Sequence, residues 1–395
     1  MGTEEIHMSM STQPSWEKPS TYTILITLMG ISAAILLLVN ARIPSRSISP
    51  AQLKKLANQT NVFLINIHTP YQGEIEHTDT FIDEAHLFPN ELLPKNLHTP
   101  IILYDLDGKN APFAAKNLRT IGFTNVHYLQ GGMNSWERHG GKRIDLSTLE
   151  KIVLPESGIE LPIAWGTLGK QLVDAGIINL PEFRKAVPLT PEQEQLLTKG
   201  SDDYITINAQ NSQFVVDVLW ALGLAQKSTI YTDGPMGNEE KKEIGNFAST
   251  GGWNLGRELA TNYINKYDFI TLDASQHARV ADIAHHVYRP CCNNSTWFPD
   301  CNHGMAALAV IELLVSQNVD DAMIYKKILG FNSFWFPDSY LTIASYFMRQ
   351  GIAWDKVDAK EVLGFPYSSS TGASKIMQIT GPLPFKTNFA GGCGA

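Results

Sequence analysis

Beyond residue 47 the chain alternates between two hydrophobic periods. Val62-Phe63-Leu64-Ile65-Asn66-Ile67, Ile101-Ile102-Leu103-Tyr104 and Val126-His127-Tyr128-Leu129 are short runs rich in β-branched and aromatic residues. Runs of that length, apolar on consecutive positions, predict strands buried on both faces of a parallel sheet. Between them the period lengthens. Ser49-Pro50 ahead of AQLKKLANQ reads as a capped helix with proline in its first turn, and a second helix runs through Ala114 to Ile121 and stops at Gly122. Strand and helix in alternation over residues 47–145 predict an α/β domain, an open parallel sheet covered on both faces.

After a proline-containing connector (LSTLEKIVLPESGIELP) the pattern changes again, and residues 160–366 read as a mainly helical domain. Leu180-Pro181 initiates a helix, Thr190-Pro191-Glu192-Gln193 has the form of a capping box, and Phe214 to Leu224 is apolar enough for a core helix. Gln276 to Tyr288 is helical up to Pro290. The octapeptide from Asn294 to Cys301 recurs, with changes, from Asn332 to Ser339, and each copy precedes an apolar helix. The repeat predicts a helix-entry module in which Trp and Phe pack under the incoming chain while Asp, Asn or Ser caps the new helix. From Tyr367 the sequence turns rich in Ser, Gly and Pro, which predicts a flexible tail over 367–395.

The N-terminal side is different in kind. Residues 1–18 are polar and aperiodic, whereas residues 19–41 contain no charged side chain and center on the apolar run Tyr22–Val39. At 1.5 Å per residue such a run matches a hydrocarbon core of about 30 Å, so residues 19–41 are expected to form a single transmembrane anchor. A buried soluble helix and a cleavable signal peptide are the alternatives, and Val39-Asn40-Ala41 is a poor cleavage site for the second. Glu4, Glu5, Glu17 and Lys18 precede the span and Arg42, Arg46, Lys54 and Lys55 follow it. That margin is too thin to choose a side of the membrane for the soluble domains.

With 31 Lys and Arg against 39 Asp and Glu, the net charge of −8 disfavors a nucleic-acid partner. Four cysteines are too few for a disulfide scaffold, and all of them, Cys291, Cys292, Cys301 and Cys393, lie beyond residue 290.

The segments LINIHTPYQGEIEHTDTFI and ILYDLDGKNAPFAAKNLRTIGFTNVHYLQGGMNSWERHGG, with the closing pattern Gly122 to Trp136, resemble a rhodanese-like (sulfurtransferase-like) domain over about residues 47–145. The resemblance implies a cysteine nucleophile in the loop after the central strand, set among backbone N–H groups that lower its pKa. The matching position is Asp105, in a loop that continues Asp107, Gly108, Lys109. A carboxylate cannot form a persulfide, so the expectation is a pseudo-enzyme without sulfur transfer, kept as a binding or scaffold module for a protein or small-ligand partner. The alternative for the loop is that Asp105 and Asp107 act as acid/base groups or cation ligands.

The second candidate site lies in the helical domain. Cys291, Cys292, Cys301 and His303 follow closely on His285 and His286, a dense group of soft and borderline ligands. The spacing matches no common zinc knuckle. Three readings stay open: ligation of a transition metal such as zinc by a subset of these six residues, a thiol-redox role for Cys291, Cys292, Cys301 and Cys393, or cysteines that merely pack as small apolar groups. The expected function is therefore a membrane-anchored, non-transferring rhodanese-like protein, with thiol-redox or metal chemistry in the helical domain as the alternative.

Overall fold

The computed structural model describes residues 46–57, 62–238 and 241–387. The expected polar segment 1–18, the expected anchor 19–41 and Cys393 lie outside these residues. Among the described residues no helix is long and apolar enough to cross a membrane.

The three apolar runs do form strands. A five-stranded parallel sheet is ordered β1-β6-β5-β2-β4, from β1 (Ser47–Ile48), β2 (Phe63–Asn66), β4 (Thr80–Phe81), β5 (Ile101–Tyr104) and β6 (Val126–Leu129). Every residue of β5 is buried, as its unbroken apolar sequence requires of a central strand. Helices Pro50–Ala57 and Ala111–Thr120 are the two read from the sequence. In the second, Ala111, Ala114, Ala115 and Leu118 are buried at helical spacing, and they share one core with Ile65, Ile67, Leu103 and Val126. A two-stranded antiparallel pair, β3 (Glu74–Ile75) with β7 (Arg143–Ile144), lies beside the sheet.

The region after residue 145 builds a second core that runs from Ile144 to Ile376. At its center lie helices Ser212–Ala225 and Asn302–Ser316, buried on all sides over most of their length. They approach so closely that a Cβ on Gly223 would stand 2.1 Å from the Met305 carbonyl oxygen. Two sequence expectations need correction here, those for the tail and for the repeat. The region itself is mainly helical as expected, with one strand pair in addition: β8 (Ile159–Gly166) pairs antiparallel with β9 (Ser201–Ile207). Pro162 obscures β8 in the sequence, yet its burial alternates, with Leu161 and Trp165 inward. The described part of the expected tail includes the end of helix Phe365–Ser368 and all of helix Ser370–Thr380, the latter capped by the Ser369 side chain and anchored by Ala373 and Ile376. Finally, the two octapeptide copies differ. The first is a loop, whereas the second ends helix Asp321–Trp335 and begins helix Pro337–Arg349. Neither helix entry uses the expected side-chain cap.

The two cores belong to one unit from residue 47 onward. The tie is a buried ion pair: the Arg349 Nε and Nη2 donate to the two Glu74 carboxylate oxygens at 2.8 and 2.9 Å. Its Nη1 donates to the carbonyls of Asp79 at 3.2 Å and Thr380 at 2.9 Å. Thr380 in turn accepts from the Thr80 hydroxyl on the edge strand at 3.2 Å.

Candidate functional site

The loop after β5 was the first candidate. Asp105 is buried, and its carboxylate accepts backbone N–H bonds from Gly108 at 2.5 Å, Asn110 at 2.6 Å and Ala111 at 3.3 Å. The loop therefore closes around its own side chain. Gly108 has φ of +81°, and a Cβ there would sit 2.6 Å from the Gly131 nitrogen. A Cβ on Gly132 would meet the Asp105 carbonyl at 2.3 Å. The paired glycines of the closing pattern are thus what lets helix Gly132–Arg138 pack under the loop. Asp107 pairs with Lys109 at 2.5 Å on the surface, and this contact holds its carboxyl below the usual range. The two aspartates are not brought together as cation ligands among the described residues.

An open parallel sheet whose central strand feeds a loop closed around its own Asp105 side chain over a glycine pair is an α/β domain. The family model described as Rhodanese-like domain matches residues 49–139, and that segment is a rhodanese-like domain. Its likenesses among solved structures include a rhodanese-related protein from Thermoplasma volcanium, 20% identical, covering 25% of this chain and 98% of that one, with a TM-score of 0.23. SseA from Escherichia coli, described as a 3-mercaptopyruvate sulfotransferase of rhodanese fold, is 21% identical over 26% of this chain and 52% of its own, at a TM-score of 0.23. A thiosulfate sulfurtransferase from Pseudomonas aeruginosa is 13% identical over 47% of this chain and 50% of its own, at 0.24. No curated protein matches the chain in sequence.

The second candidate is assembled by the loop between helices Ala274–His286 and Asn302–Ser316. It brings the sulfurs of Cys291, Cys292 and Cys301 within 4.8 Å of one another, with Cys291 Sγ and Cys301 Sγ 3.4 Å apart. All three are free thiols, Cys291 exposed and the other two partly buried. Cys301 is the N-cap residue of the following helix, but its side chain makes no capping bond. It accepts instead from Arg289 Nε at 3.0 Å.

Arg289 is the residue the sequence reading missed. It is fully buried, and its other nitrogens reach the Thr296 hydroxyl and the Asp300 carboxylate, both at 3.4 Å. A buried guanidinium must be paired, and the arginine directly before Pro290 was a signal for one more charged member of the cluster. Gly304 makes room for it, since a Cβ there would stand 2.5 Å from Nη2. Asp300, expected as a helix cap, holds Arg289 and the Asn294 amide instead, the latter at 2.9 Å.

Hydrogen bonds from Cys291 and Cys292, with the charge and Nε–H of Arg289, hold the Cys301 thiol well below its ordinary pKa against the opposing effect of burial. Cys291 moves the other way, because its bonds to Cys292 and Cys301 favor the protonated thiol. Cys292 is pushed up to about 11: its bond with Cys291 acts downward but is outweighed by Cys301 and burial. The arrangement favors the thiolate form at Cys301 over its two neighbors. Thiolates are the nucleophilic form of cysteine, and a guanidinium stabilizes them.

The histidines do not join this group. His285 is exposed and stacks on Trp297 with ring centroids 4.4 Å apart, while His286 Nδ1 bonds the Asp282 carbonyl at 2.7 Å. His303 is buried against Phe336, at 4.5 Å between centroids, and Trp335, and burial lowers its pKa to about 4. Of the six candidate ligands, only the three cysteines form the cluster found among the described residues.

Proposed function

We propose that the chemistry of this protein resides in the helical domain, as a dithiol–disulfide exchange center formed by Cys301 and Cys291, and that the rhodanese-like domain is a non-transferring scaffold. The observation that carries this reading is the 3.4 Å approach of the two sulfurs with Arg289 Nε 3.0 Å from Cys301. A partner bearing a disulfide supplies the co-reactant. The Cys301 thiolate attacks one sulfur of that disulfide and expels the other half as a thiolate, which takes the proton of Cys291. Cys291 then attacks Cys301 Sγ and releases the second half. Two protein thiols are oxidized to one disulfide, and the partner disulfide is reduced to a thiol and a thiolate.

The Asp105 carboxylate supports the scaffold half of the proposal, because it already accepts the N–H groups that an anionic sulfur would need. The uncharged run at residues 19–41 supports attachment of the whole to a membrane.

The test is oxidation of the full chain, in detergent, by glutathione buffers of graded ratio. No lysine or arginine separates Cys291 from Cys301, so the disulfide registers as a loss of two hydrogens within one tryptic peptide. We expect that loss in the wild-type protein and in Cys292→Ser, and not in Cys291→Ser or Cys301→Ser. Wild-type protein whose two thiols both stay alkylatable across the titration would overturn the reading.

A further inference from the structure

A two-electron dithiol couple needs two sulfurs, and the center has three. Cys292 forms and breaks no covalent bond in the exchange just described, yet its sulfur lies within 4.8 Å of both others. Beyond the other two sulfurs its contacts are weak ones, to the Asn294 carbonyl and the Asp300 carboxylate, both at 3.7 Å. Nothing in exchange chemistry requires a third thiol there.

We infer that the reduced center binds one soft, closed-shell metal ion, Zn²⁺ or Cu⁺, through Cys291, Cys292 and Cys301. The inference rests on the thiol reading in that both need the same reduced sulfurs, and it adds regulation: metal held by the reduced state withholds the thiols from exchange. The dimensions fit. Metal–thiolate bonds of about 2.3 Å in tetrahedral geometry place ligand sulfurs about 3.8 Å apart, and the trio spans 3.4 Å to at most 4.8 Å. Sulfur-only donor sets select zinc and monovalent copper over hard cations. Three thiolates around one ion carry excess negative charge, and Arg289, fully buried at 3.0 Å from Cys301 Sγ, offsets part of it and orients that ligand as outer partners of metal sites do. Vicinal Cys291 and Cys292 can share an ion because the chain turns over Pro290 and Cys291: Cys292 N–H bonds the Arg289 carbonyl at 3.4 Å, and the Cys292 carbonyl accepts from Ser370 N–H at 2.9 Å. The C-terminal helix start thereby braces the loop from outside. Oxidation of Cys291 and Cys301 to a disulfide removes two of the three ligands and releases the ion.

Cys292→Ser separates the two ideas. The reduced full chain is titrated with Zn²⁺ and, in a separate series, with Cu⁺, each against a chromophoric chelator, and bound metal is counted by elemental analysis. The expected result is one ion per wild-type chain and none after oxidation. In Cys292→Ser the affinity falls by more than about 100-fold, beyond the 10–100-fold typical for loss of an outer partner, while the Cys291–Cys301 disulfide still forms. Wild-type affinity in Cys292→Ser, or no stoichiometric uptake of either ion by the reduced chain, would overturn the inference and leave the exchange reading standing. Stoichiometric uptake by a chain that never forms the disulfide would overturn the exchange reading and leave the metal site.

Discussion

Replacing Arg349 by methionine isolates the tie between the two cores. Both members of the Glu74–Arg349 pair are essentially excluded from water, at 0% and 2% exposure. The substitution leaves the Glu74 carboxylate buried without its two bonds of 2.8 and 2.9 Å, and takes the Arg349 donor from the carbonyls of Asp79 and Thr380, the latter keeping the Thr80 hydroxyl. Breaking a buried pair from one side costs about 3–5 kcal/mol, and the two lost hydrogen bonds to carbonyls add about 1 kcal/mol each. The expected loss is therefore about 5–7 kcal/mol. Chemical denaturation of the full chain at pH 7, followed by tryptophan fluorescence, measures it. The double variant Glu74→Leu with Arg349→Met removes the stranded charge and should recover at least 1–2 kcal/mol of the loss, since apolar replacements of buried pairs are often neutral or better. A single variant that loses less than about 1 kcal/mol would refute the reasoning and reduce the pair to the standing of a surface contact.

Glu312, fully buried on helix Asn302–Ser316, has its pKa raised to about 8 by burial. Its folded form binds a proton more tightly than the unfolded chain, so stability should be highest below about pH 4.5 and fall as pH rises through about 8, by at most roughly 5 kcal/mol; Glu312→Gln should flatten that slope in thermal melts across the same range. Asp105→Ala frees three loop N–H groups and should cost about 2–3 kcal/mol, whereas Asp105→Cys should still give no thiosulfate-to-cyanide transfer in a thiocyanate assay. Gly304→Ala puts a methyl group 2.5 Å from Arg289 Nη2, so the guanidinium must shift from Cys301. The pH profile of iodoacetamide alkylation at Cys301 should then move upward by about 1 unit or more.

How far the sequence could be read depended on the range of the interactions involved. The rhodanese-like sheet was legible because its strands are continuous apolar runs and its closing loop needs glycines at fixed places, both local signals. The capping box at Thr190 was equally local and is present with both of its bonds. The β8–β9 pair was missed because its two strands have helices between them and one contains a proline. The helix Ser370–Thr380 was misread from composition, since Ser and Gly near its start supply a cap and a close approach. At the site, three cysteines near one another in sequence were candidates on sight, and they do converge. Which neighbors would join them was not readable. His303 turns to an aromatic wall, while Arg289 turns to the sulfurs, and the difference is set by Gly304 and Thr296, residues with no chemistry of their own.

The Glu74–Arg349 pair also sets a timetable for the chain during its synthesis. Its partners are 275 residues apart, which at about 5–20 residues per second is roughly 14–55 s of translation. The sheet and the helices that cover it emerge long before that and can assemble on local contacts. Yet Glu74 and the edge strand at Thr80 wait for the last helices, and Thr380 arrives later still. A newborn chain therefore passes through an interval with a formed sheet, a bare edge and an uncompensated acid beside it. A ribosome that pauses late in the message would prolong the period in which that edge is open to the wrong strand.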